Sequence, residues 1–131
     1  MRVPKDTLVV VADGGGARVL RNVGAAFDPE LIAEQTLAPQ DLDDDGPAGP
    51  VPAETRGEEI DEATFAKQLA NWLNARALRQ EFDNLVLMAD PQTLGQIRRS
   101  LHKEVGNRLL ATIDKNLTNA PLGDIARALS P

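Results

Sequence analysis

The sequence predicts a single α/β domain built on a mixed sheet, and three observations carry that prediction. Two almost wholly apolar runs, Thr7 to Ala12 and Asn84 to Ala89, have the length and composition of strands buried on both faces. Phe65, Leu69, Trp72 and Leu73 recur at helical spacing between them. A helix between two such strands makes them parallel, whereas the short connections before it join antiparallel neighbours. At 131 residues the chain is one domain's worth, long enough to bury a core. The predicted order is β-β-β-loop-α-β-α-β-α, with no internal repeat.

The first strand, Thr7 to Ala12, runs into Asp13 and the triple glycine Gly14 to Gly16, which suits a tight hairpin turn. Ala17 to Asn22 is the second strand, with Arg18 and Leu20 on one face and Val19 and Arg21 on the other. Leu31 to Leu37 is a third, less apolar and edge-like. Residues 38 to 60 then read as a flexible, acidic, Pro/Gly-rich loop: seven of the 21 residues from Ala38 to Glu58 are Gly or Pro. Asp61 is the predicted N-cap of the next helix, with Ile60 stapling onto Phe65, and Ala66, Ala70 and Ala77 permit close packing. Arg76 and Arg79 fall in its last turn. Asp90-Pro91 opens a second helix whose inner face is Leu94, Ile97, Leu101 and Val105. Leu109 to Ile113 is the last strand, and Thr118 or Asn119 caps a final helix with Leu122, Ile125 and Leu129 inward.

Charge divides the chain. Between Asp28 and Glu62 stand twelve acids against one base, while the remainder carries thirteen bases and eight acids. The acidic balance thus belongs to one segment and the folded body is mildly basic. With no cysteine, a disulfide framework and a zinc–thiolate site are excluded. The N-terminus lacks a secretory apolar region, and no run approaches the roughly 20 residues needed to span a bilayer, so a cytoplasmic protein without membrane contact is expected.

Asp13, Asp90 and Asp114 end the three most apolar strands, the position where carboxylates gather in open α/β sheets. Converging, they could hold two divalent ions for phosphoryl displacement. Each also has a local explanation: Asp13 as a turn residue, Asp90 as a cap, Asp114 as the neighbour of Lys115. The glycines match neither phosphate-loop pattern and precede a strand rather than a helix. His102, the only histidine, has no nucleophile beside it, and Trp72 reads as core rather than a stacking platform. Arg76, Arg79, Arg98, Arg99 and Lys103, with Arg108, form a basic flank able to track a polyanion, although no aromatic residues interleave with it.

Two blocks resemble a known family. They are VVADGGGARVLR (Val10 to Arg21) and FDNLVLMADPQTLGQIRRSL (Phe82 to Leu101) with its continuation LLATIDKNLTNAPLGDIARAL (Leu109 to Leu129). The most specific pieces are Ala12-Asp13 with Ala17-Arg18, Leu94-Gly95 with Arg98, and Asp114-Lys115 with Leu117-Thr118. They resemble the bacterial host attachment proteins, a family similar in fold to the middle domain of eukaryotic and archaeal peptide-release factors, itself ribonuclease H-like. The resemblance implies that fold and a ribosome-linked ancestry. The Gly-Gly-Gln loop of release factors has no counterpart in Ala38 to Ile60, so peptide release by that mechanism is not implied.

The expected function is a non-enzymatic cytoplasmic binding domain engaging RNA or the ribosome, with no cofactor and no metal. Its candidate functional cluster is Asp13, Arg18, Asp90, Asp114 and Lys115, and its acidic loop is expected to compete with polyanions for the basic flank. Two alternatives stand beside it: a metal-dependent nuclease using the strand-end aspartates, and a homo-oligomeric module pairing through the Leu31 to Leu37 edge.

Overall fold

The computed structural model describes residues 1–42 and 62–129. Strands β1 (Leu8–Asp13), β2 (Gly16–Asn22), β3 (Leu31–Leu37), β4 (Leu85–Ala89) and β5 (Leu109–Ile113) form one mixed sheet in the order β3-β2-β1-β4-β5. The β1–β2 and β2–β3 pairs are antiparallel; β1–β4 and β4–β5 are parallel. Helices α1 (Glu62–Leu78), α2 (Pro91–Arg99) and α3 (Lys103–Arg108) cover one face, and α4 (Leu122–Leu129) covers the other.

The centre of the sheet follows from composition. Leu8 to Ala12 are at most 2% exposed, with Leu8, Val10 and Ala12 in the layer beneath α1–α3 and Val9 and Val11 beneath α4. Burial of each large side chain contributes about 1.5–3 kcal/mol, so this strand has no solvent face to lose. On α1 the predicted stripe holds: Phe65, Leu69 and Leu73 are fully buried, with Ala66 and Ala70 beside them. Trp72 is only partly buried and packs against that cluster from outside it. The expected Asp61 cap and Ile60 staple lie outside the described residues.

The structure corrects the predicted element order, because the second helix is two. It stops at Arg99 and restarts at Lys103, so Val105 belongs to α3 and His102 precedes that helix at its N-cap position. The cause is Asn74, which is 4% exposed on α1. Its Nδ2 donates to the Ser100 carbonyl (2.9 Å) and its Oδ1 accepts from the His102 amide (2.8 Å). Both backbone groups would otherwise continue the helix. The end of α1 differs too: the helix stops at Leu78, leaving Arg79 beyond it. Gln80 takes a left-handed φ of 58°, and the Gln80 and Glu81 amides bond the carbonyls of Ala77 and Arg76, a Schellman closure. α4 opens on Pro121, whose carbonyl accepts from Asp124 and Ile125, rather than on a Thr118 or Asn119 side-chain cap.

β5 is an edge strand with no fully buried residue, and a register shift against β4 leaves Leu110 41% exposed. The other edge, β3, is exposed from Ile32 to Thr36 and matches its predicted bounds. The predicted loop starts later than expected. Pro39–Asp41 form a 3-10 turn in which Asp41 Oδ2 accepts from the Ala38 amide (2.9 Å), and Leu42 is buried at 8% exposure. The rest of that loop, residues 43–60, lies outside the described residues.

Two substitutions check this account. Asn74→Ala should cost about 1–3 kcal/mol in denaturant unfolding, because two partly buried backbone groups lose their partner. Gln80→Gly should raise stability by about 0.5–1 kcal/mol, since glycine takes left-handed φ without strain. A neutral Asn74→Ala would detach the helix break from that side chain.

Candidate functional site

Asp13 pairs with Gly16 across the first hairpin, leaving only Gly14 and Gly15 in the turn. Its Oδ1 accepts from the Gly15 amide (2.8 Å), which fixes the reversal. A Cβ on Gly16 would sit 3.3 Å from the Leu37 carbonyl oxygen, so the third glycine is there for close approach to β3. The triple glycine is therefore a turn and a packing contact. Asp13 Oδ2 accepts from the Thr118 hydroxyl (2.9 Å). Arg18, on the α4 side of β2, donates through Nη1 to the carbonyls of Thr118 (3.2 Å) and Ala120 (2.7 Å). The two residues thus clamp the connection from β5 to α4, which would otherwise leave carbonyls unpaired above the sheet end. An open groove of about 270 Å³ lies between hairpin and connection, lined by Asp13, Gly16, Arg18, Thr36, Thr118 and Asn119.

The rest of the expected cluster does not join that pair. Asp90 is spent as the N-cap of α2, accepting from the Thr93 amide (3.1 Å). Asp114 and Lys115 are exposed and form no ion pair with each other or with any described residue. Among the described residues, no three Asp, Glu or His side chains are placed to hold a metal ion. The carboxylate cage that the nuclease alternative requires is not formed, because two of the three strand-end acids serve local backbone geometry.

The basic flank also separates. Arg76 pairs with Glu81 (2.7 Å) and lies over the Trp72 ring, 4.0 Å from its centroid; Arg79 approaches the same carboxylate at 3.7 Å. Arg108 pairs with Glu104 (2.9 Å) and donates to the Phe82 carbonyl. Arg98 donates to the Thr112 hydroxyl of β5 and has no acid partner among the described residues. Arg99 and Lys103 are exposed with none either. The un-neutralised part of the flank is therefore one corner, the end of α2 and the start of α3. Sequence reasoning missed Thr118 as the partner of Asp13 and Arg18. The Leu117-Thr118 piece of the family resemblance was the available signal.

If the clamp is structural, Arg18→Met should destabilise the fold by about 1–2 kcal/mol, because two partly buried carbonyls lose a charged donor. Hydrogen exchange should quicken in residues 114–121 first. Unchanged exchange there would contradict the assignment.

No curated protein matches the chain. Residues 6–129 match the profile of bacterial archaeo-eukaryotic release factor family 12. The match spans the five strands and four α-helices of the described residues, and the mixed sheet agrees with a release-factor-like α/β fold. The chain belongs to bacterial archaeo-eukaryotic release factor family 12.

Proposed function

We propose that this protein is a translation-linked, non-enzymatic binding domain of the cytoplasm that docks on RNA, of the ribosome or bound to it, through the α2–α3 corner. The observation that carries the reading is the set Arg98, Arg99 and Lys103, exposed at one corner with no acid partner among the described residues. Residues 91–115 hold five bases against two acids, although the whole chain is at -6. Such a corner suits phosphate contacts that position a partner without reading sequence. Family membership supports the translational setting. The order β3-β2-β1-β4-β5 with a parallel β1–β4–β5 half further supports a ribonuclease H-like ancestry.

The other readings draw less from the geometry. The family match supports the release-factor-like reading and not the host-attachment one. Among the described residues, no helix is long and apolar enough to cross a membrane. Pairing of copies through β3 is opposed by its own edge: a register shift skips Glu34, which is ion-paired to Arg21 (3.1 Å), and charge and bulging discourage strand addition.

Fluorescence anisotropy with a labelled single-stranded RNA tests the proposal. The wild type should bind at low salt. The R98E/R99E/K103E variant should lose most of that affinity, and its log–log salt slope should fall by about 2, the loss of three phosphate contacts. No binding by the wild type at low salt, or equal affinity and slope for the variant, would overturn it.

A further inference from the structure

A second groove of about 270 Å³ runs along α1, walled by Asp41, Leu42, Gln68, Trp72, Arg76 and Arg79. Gln68, Trp72 and Arg76 are spaced i, i+4 and i+8, so they form one row on the helix. Asn74, which holds the α2–α3 junction, projects from the opposite flank. Two polar atoms of that row lack partners. Gln68 is 6% exposed and its Oε1 accepts no hydrogen bond; Arg76 Nε is buried and donates none. Each such atom costs about 1–3 kcal/mol. Beside them stands a flat wall, the Arg76 guanidinium stacked on Trp72 and held by Glu81 through Nη1.

We propose that this groove takes a nucleobase of single-stranded RNA. An edge donor of the base meets Gln68 Oε1, the unmatched buried acceptor of the row. The base plane lies against the Arg76–Trp72 wall, as bases commonly do on arginine and aromatic surfaces. Every base carries an edge N–H donor, so the site holds a base without selecting among the four. Charge in the groove balances, with Asp41 and Glu81 against Arg76 and Arg79, so affinity comes from the base and depends weakly on salt. A peptide amide could satisfy Gln68 Oε1 but would gain little from the stacked wall. Between the groove and the α2–α3 corner, α1 carries exposed Lys67 and, after Glu62, no acid, so a strand could cross it. As an RNA site the groove rests on the reading above; a free nucleotide shares its chemistry.

Trp72 is the only tryptophan, so its fluorescence, excited on the red edge, reports occupancy directly. UMP and AMP should each quench it saturably, with little change between low and moderate salt, and ribose 5-phosphate should not. Gln68→Leu should weaken nucleotide binding about tenfold or more with an unchanged or higher melting temperature, since it replaces an unpaired buried amide by an apolar group. Four outcomes overturn the base site: no response to either nucleotide, an equal response to ribose 5-phosphate, an equal response to a capped dipeptide, or wild-type affinity in Gln68→Leu. RNA binding through the α2–α3 corner with a silent Trp72 would sink the groove alone. Nucleotide quenching without RNA binding would leave a free-nucleotide site and sink the RNA reading alone.

Discussion

Burial of β1 on both faces is the constraint from which the rest of the architecture follows. Leu8 to Ala12 offer no polar side chain to water, so both sides of the sheet must be covered. The segment from 62 to 108 supplies α1, α2 and α3 for one side, and among the described helices α4 remains for the other. The chain must therefore leave edge strand β5, pass the carboxyl ends of the parallel strands, and reach the opposite face. That passage, residues 114–121, is irregular backbone, and its carbonyls need donors. Arg18 supplies two bonds and Asp13 anchors the Thr118 hydroxyl. Asp13 and Arg18, two members of the expected cluster, are thus explained by the topology.

The same economy accounts for the charges. Asp13, Asp90 and Asp41 each satisfy a backbone amide, and Glu34, Glu81 and Glu104 each neutralise an arginine. Acids in the described body are largely committed to holding the fold. Arg98, Arg99 and Lys103 are left without that compensation, on a corner that exists because Asn74 breaks the helix there. The placement of cations and the break in the helix are one structural event. It turns a single amphipathic surface into a bend where three cationic side chains face solvent.

What was legible in the sequence was whatever local chemistry decides. The apolar runs gave β1 and β4, Asp90-Pro91 gave the start of α2, and alanines among leucines gave the buried stripe of α1. What was not legible depends on partners far along the chain. The helix break relies on a hydrogen bond across 26 residues, and the Asp13 clamp on one across 105. Ser100 and Thr118 look ordinary in their local context. Gln68 reads as a plain polar residue on a helix, and its unmatched carbonyl emerges only when the Pro39–Asp41 turn is folded beside it. Trp72 was read as core and proves to be the rim between core and groove.

The central claim is that the working surface is the helical face, running from the α1 groove to the α2–α3 corner, and that Asp13 and Asp90 belong to the scaffold. Amide chemical-shift mapping with a short single-stranded RNA tests it most directly. The account predicts perturbations concentrated at residues 67–79 and 98–103, with the Asp13–Ala17 hairpin and residues 114–121 little changed. Perturbations confined to that hairpin and the 114–121 connection, or absent from the helical face, would contradict it.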